Sequence, residues 1–192
     1  MGRSETPHGS ARLRWLPNAL TIARLAALPL LLAVLIREDG TTSLLAWTIF
    51  AVVAFTDFFD GFLARRLGAE SRFGQIADPL ADRLLVGVGL VGVILLGGVS
   101  PVAPLILLVR DVAIVGGAVY LLRRGVDLRV DMAGKISSTL TMLATGTAML
   151  FDQAWVELVL WVAVVVALGT FANYIRQAAV MMRRSPEAST RP

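Results

Sequence analysis

An all-helical integral membrane bundle of six transmembrane helices, with both termini cytoplasmic, is the fold this sequence predicts. Three observations carry that expectation. Hydrophobic residues make up 56% of the 192 residues and mean hydropathy is +0.73, more apolar than an ordinary soluble domain. Apolar runs of membrane-spanning length recur six times. Basic residues collect in alternate connections, the pattern of cytoplasmic loops under the positive-inside rule. That placement explains the net charge of +4 as a topology signal and argues against nucleic acid as a partner. The chain has no cysteine, which excludes disulfides and thiolate metal sites. Its one histidine, His8, lies in a polar leader, which argues against a histidine-based metal centre or triad.

In chain order, residues 1–14 read as a disordered polar leader, 15–184 as the six-span domain and 185–192 as a disordered tail. The first span is Leu16–Ile36. Arg24 interrupts it, and no clear small-x-small cleavage pattern follows, so it reads as a retained span rather than a signal peptide. The second and third spans are Ser43–Ala64 and Pro79–Leu96, the fourth and fifth Pro101–Leu122 and the short Ile136–Leu150, the sixth Trp155–Met181. Arg65, Arg66 and Arg72 join spans two and three; Arg123, Arg124, Arg129 and Lys135 join spans four and five; Arg183 and Arg184 follow span six. The opposite side carries Arg37 with Glu38 and Asp39, an uncharged turn at 97–100, and Asp152. This asymmetry puts the inner loops, and any site beside them, on the cytoplasmic face of a bacterial-type cell membrane.

Four aspartates break the apolar pattern: Asp57 and Asp60, three apart, then Asp78 and Asp82, four apart. On helices each pair shares one face. A lone Asp near a bilayer centre costs roughly 2.5–3.5 kcal/mol, and four would cost on the order of 10 kcal/mol if nothing compensated them. Span two descends toward the cytoplasmic side and span three rises from it, so the two acidic faces can meet at one depth. Clustered carboxylates cannot all stay ionised without compensation, and oxygen-only ligation suits Mg²⁺ or Mn²⁺. Small residues, Gly61 and Ala64, stand beside the first pair and Gly74 before the second.

This stretch resembles the signature of the CDP-alcohol phosphatidyltransferase family: D-x-x-D-G-x-x-A-R, eight residues, then G-x-x-x-D-x-x-x-D. Asp57, Asp60, Gly61, Ala64, Arg65, Gly74, Asp78 and Asp82 match every fixed position. The run from Pro17 to Arg24 also looks like the family's first span. The resemblance implies that Asp57, Asp60 and Asp78 ligate divalent metal, with Asp82 serving a second ion and taking the proton from an acceptor hydroxyl. It implies that Gly61, Ala64, Arg65 and Gly74 line the pocket for cytidine diphosphate. It further implies CDP-diacylglycerol as donor, CMP as leaving group, surrounding membrane lipids and a homodimer. The chain looks most like the phosphatidylglycerophosphate synthase and cardiolipin synthase branches, whose acceptors are glycerol 3-phosphate and phosphatidylglycerol. Basic residues near the fourth-to-fifth connection suit an anionic acceptor and favour the former. A divalent-cation transporter is the rival class, since intramembrane acids also mark ion pathways; a bare ion site needs no fixed Gly, Ala and Arg around it.

Three further cations are candidate substrate phosphate contacts. Arg24 shares a face with Asn18 and Thr21 inside span one. Arg110 precedes Asp111 within span four, where a structural ion pair is the competing reading. Lys135, at the entrance to span five, competes with an ordinary topology role. Arg83, next to Asp82, points elsewhere on the helix and reads as structural or headgroup-facing. Gly87, Gly89 and Gly92 spell G-x-G-x-x-G, but without a preceding strand they predict close helix packing, not a dinucleotide site.

Overall fold

Each apolar run becomes one α-helix: α1 (Leu16–Arg37), α2 (Leu44–Leu67), α3 (Arg72–Leu96), α4 (Val102–Arg123), α5 (Met132–Leu150) and α6 (Ala154–Arg184). The structure, a computed structural model, describes residues 16–67, 72–123 and 132–184, with side chains for 22–56, 80–121 and 132–180. No strand occurs among the described residues. The leader and tail expected at 1–14 and 185–192 lie outside them.

Helix boundaries follow the sequence reading closely except at two starts: α5 begins at Met132 rather than Ile136, and α3 at Arg72 rather than Pro79. The apolar run starts at Pro79, but backbone hydrogen bonding does not depend on side-chain polarity, and the helix extends through the polar turns before it. Pro79 forfeits one backbone hydrogen bond and is carried inside the helix. Asp78 and Asp82 therefore belong to one continuous helix.

The third helix is the hub. It packs on α1, α4 and α5 and also touches α2; α6 closes the bundle against α4 and α5, and α2 packs on α1 and α5. Two of the four glycines in α3 make this possible. A Cβ on Gly89 would lie 2.8 Å from both Phe50 of α2 and Thr145 of α5, and one on Gly92 would collide with Leu35 of α1. Gly87 has only Leu108, at 3.7 Å. Helix packing thus accounts for Gly89 and Gly92, as the sequence led us to expect. Around them Leu31, Leu35, Phe50, Leu85, Leu90, Val93, Met149 and Leu160 form the buried core.

One end of the bundle carries the turns at 38–43, 97–101 and 151–153 and is laced together by polar bonds. Ser43 accepts a bond from the Ala46 N–H (3.2 Å), capping α2, and donates to Glu38 Oε2 (2.6 Å). The Ser43 N–H donates to the Met149 carbonyl at the end of α5 (2.9 Å). Thr41 donates to Asp152 (2.9 Å). Gly97 ends α3 at φ +70°, the left-handed C-cap conformation that glycine adopts without a Cβ clash. The other end holds the start of α1, the end of α2, the start of α3, the end of α4, the start of α5 and the end of α6, with Arg65, Arg66, Arg72, Arg123, Lys135, Arg183 and Arg184 on those turns. We call these the turn end and the basic end.

The outer surface is apolar as well as the core, and several polar side chains are buried. Ile22, Phe55, Val109, Leu143 and Val165 are 60–69% exposed on the outside, whereas Arg24, Arg110, Asp111, Ser137, Thr141 and Thr145 are buried. Large exposed apolar faces mark contact with a partner or a membrane. Among the described residues, Val102–Leu121 of α4 and Ala154–Val180 of α6 are long and apolar enough to cross a membrane.

The packing generates an internal comparison. Gly89→Leu should destabilise the bundle by about 1–3 kcal/mol through overpacking, while Gly87→Leu should not. Thermal unfolding of the detergent-solubilised protein measures both; equal melting temperatures for the two variants would refute the assigned packing.

Candidate active site

Helix geometry puts several chemically capable residues at one level. Counted from the turn end, Arg24 lies 13 residues from Arg37, Asp57 13 from Leu44, Asp82 14 from Leu96 and Ser137 13 from Leu150. At 1.5 Å per residue each is about 20 Å from that end. The level falls in the half of the bundle nearer the basic end.

Asp57, Asp60, Gly61, Ala64 and Arg65 lie on the last turns of α2, and Gly74 and Asp78 on the first turns of α3. Their side chains are outside the described set. The backbone nevertheless places the two halves of the acidic motif on consecutive helices that touch each other. Among the described residues no group of three or more His, Cys, Asp or Glu could hold a metal ion; three of the four motif aspartates are not among them.

Asp82 is described, and its position is informative. It is exposed, yet it shares a helical stripe with Val86, Leu90 and Val93, which are 7%, 0% and 1% exposed. A carboxylate that tops a core-facing stripe sits at the mouth of the bundle interior rather than on its outer face. The four acids supply only hard oxygen donors, and that donor chemistry fits a divalent cation of the Mg²⁺ type.

Arg24 is likewise on a core stripe, with Leu28, Leu31 and Leu35, and is 5% exposed. It points inward among α1, α2 and α3. Lys135, in the first turn of α5, is exposed. Arg110 is buried and heavily engaged. It donates through Nη1 to Asp111 Oδ1 (2.7 Å) and through Nη2 to Ser137 of α5 (3.2 Å) and Thr170 of α6 (2.9 Å). Arg83 of α3 donates to the same Asp111 oxygen (2.5 Å). The structural pairing weighed for Arg110 and Asp111 is therefore present, and Arg83 is part of it. Arg110 Nε has no partner among the described residues, and neither has the Tyr174 hydroxyl, which lies one turn beyond Thr170 beside Gly117 of α4.

Sequence reasoning did not single out Ser137, Thr170 or Tyr174. A signal exists for the α6 pair. Leu160, Ala163, Ala167 and Ala178 form a buried stripe, and Thr170 and Tyr174 are the polar interruptions at the same helical spacing.

A family model described as CDP-alcohol phosphatidyltransferase matches residues 14–169. A Rickettsia bellii protein, named CDP-diacylglycerol--glycerol-3-phosphate 3-phosphatidyltransferase, is 30% identical over 84% of this chain and 93% of its own length. A Bacillus subtilis protein of the same name is 30% identical over 78% and 87% of the two chains. A Mycobacterium tuberculosis protein named probable phosphatidylglycerophosphate synthase is 36% identical over 72% and 67%.

The stripe geometry has a direct readout, because the chain has no cysteine of its own. A thiol introduced by Asp82→Cys should react with a water-soluble maleimide, and one introduced by Val86→Cys, one turn deeper, should be protected. Equal labelling would place Asp82 away from the mouth.

Proposed function

The chain belongs to the CDP-alcohol phosphatidyltransferase family, and on that premise we propose that it transfers a phosphatidyl group from CDP-diacylglycerol to glycerol 3-phosphate, releasing CMP, in phospholipid biosynthesis. The observation that carries the reading is the complete acidic signature, Asp57 to Asp82, split across two touching helices with Asp82 at the mouth of the interior. The names of the similar proteins favour glycerol 3-phosphate as acceptor.

In this mechanism Asp57, Asp60 and Asp78 would hold one Mg²⁺ or Mn²⁺, and Asp82 would contribute to a second. Such ions, when bound, supply positive charge for the pyrophosphate oxygens and the departing nucleotide. Gly61 and Ala64 keep the α2 backbone open to the cytidine diphosphate, with Arg65 and Gly74 completing that pocket. Asp82 accepts the proton of the acceptor hydroxyl. The freed oxygen attacks the phosphorus bearing diacylglycerol; a new P–O bond forms as the P–O bond to CMP breaks. Lys135, exposed at the basic end, and Arg24, buried near the level of Asp82, are the proposed phosphate contacts. Arg110 has donors committed to Asp111, Ser137 and Thr170, leaving Nε for any contact with substrate.

The setting that supports this chemistry is a six-span domain over 15–184 with both termini and the acidic site at the cytoplasmic face of the membrane. The exposed apolar flanks and the basic residues gathered at one end support it. We include a homodimer in the proposal. The similar proteins are named as phosphatidyltransferases, which favours that class over a cation transporter.

Purified protein given CDP-diacylglycerol and glycerol 3-phosphate should yield phosphatidylglycerophosphate and CMP. Chelation should abolish transfer and Mg²⁺ or Mn²⁺ should restore it. Cardiolipin made from phosphatidylglycerol would instead assign the other branch, and turnover in excess chelator would remove the metals from the mechanism.

Asp82→Asn keeps the size of the side chain but cannot take a proton at neutral pH. It should lower kcat by ~10²–10⁴-fold, the loss typical of a missing general base, while CDP-diacylglycerol binding survives better than in Asp57→Asn or Asp60→Asn. Near-normal turnover would dismiss Asp82 as the base.

A further inference from the structure

Asp111 sits between two cations. Its Oδ1 accepts from Arg83 on α3 and from Arg110 on its own helix, and Arg110 continues to Ser137 on α5 and Thr170 on α6. Asp111 and Arg110 are 6% and 4% exposed. Buried ion pairs are weak contributors to net stability, because desolvation offsets much of their attraction; their attested use is to fix one arrangement against others. The arrangement fixed here adjoins the proposed reaction. Arg83 directly follows Asp82, about 100° further round α3. Holding Arg83 against α4 therefore holds Asp82 on the stripe that faces the interior. The nearest glycine lock on α3, Gly89 against Phe50 and Thr145, is seven residues away, about 10 Å along the axis. The other arm of the network ends at Ser137, two residues from Lys135. One carboxylate thus ties the helix that bears the base to the helix that bears the acceptor contact.

We propose that Asp111 is a positioning residue for Asp82, acting through Arg83 and setting the rotation of α3 at the reacting level. The proposal rests on the phosphatidyltransferase reading for its kinetic consequences but not for its geometry. Asp111→Asn keeps the shape and removes the charge that holds Arg83. It should lower kcat by roughly 10- to 100-fold, the scale of loss for a slight misplacement of a reacting group, with KM for CDP-diacylglycerol unchanged. Asp111→Glu should recover most of the loss. Arg83→Gln should reproduce the fall in kcat, and the double variant should be no worse than the worse single one, since both changes break the same link.

A second readout needs no activity. In the cysteine-free chain, the maleimide reaction rate of the Asp82→Cys variant should change when Asp111→Asn is added. The rate of a Leu95→Cys variant near the turn end, where Leu95 is 52% exposed, should not change. Unaltered labelling at position 82, or additive losses of kcat in the double variant, would overturn the proposal. So would an unchanged kcat in Arg83→Gln, whose half-buried side chain (23% exposed) makes misfolding the lesser concern. Failure of the wild-type protein to make phosphatidylglycerophosphate would sink the functional reading alone; the labelling comparison would still decide the geometry.

Discussion

Two guanidiniums share one carboxylate oxygen at the centre of this bundle, Arg83 from α3 and Arg110 from α4 both bonding Asp111. The rest of the architecture is arranged around the difficulty that this contact resolves. In a bundle whose outer faces are apolar, polar groups have only the interior in which to find partners, and every one placed there needs a partner. Thr141 and Thr145 donate back to carbonyls one turn earlier on α5. Ser137 and Thr170 accept from Arg110. The apolar core thus holds a small set of polar groups that bond to one another or to backbone, and the acidic motif stands toward the basic end of α2 and α3.

α3 bears the heaviest demands. It touches four of the other five helices, which requires a thin waist, and Gly89 and Gly92 supply it. It also carries half of the acidic motif and Arg83. Packing and chemistry are divided along its length: glycine and leucine toward the turn end, carboxylate and guanidinium toward the basic end. At the turn end the Ser43 N–H to Met149 carbonyl bond joins the start of α2 to the end of α5, so these two helices are fixed relative to one another at the end away from the chemistry.

Much of this was legible in the sequence. Six apolar runs became six helices, because length and hydropathy report a helix's need for an apolar setting directly. The glycine triplet was readable as packing because no strand preceded it. The acidic signature was readable because its spacing matches helical periodicity. What escaped the sequence has two physical causes. Apolar patterning cannot register a helix that continues through polar residues, so α3 was expected to begin at Pro79 rather than Arg72. Partnerships between distant positions leave no local trace: Arg83 and Asp111 are 28 residues apart, and Arg110 and Thr170 are 60 apart. The neighbouring pair Arg110–Asp111 could be weighed from adjacency alone, but the direction in which each extends could not.

That adjacency bears on how such a chain is made. Arg110 and Asp111 are consecutive on α4, so both partners of their ion pair are made together on one helix. A helix emerging from the ribosome would present two opposite charges side by side, rather than one lone charge, to whatever apolar environment received it. The links to Arg83, Ser137 and Thr170 belong to a later stage, when α3 is alongside and α5 and α6 have been synthesised. The order of residues along α4 thus separates the problem of delivering charge into an apolar setting from the problem of using it there.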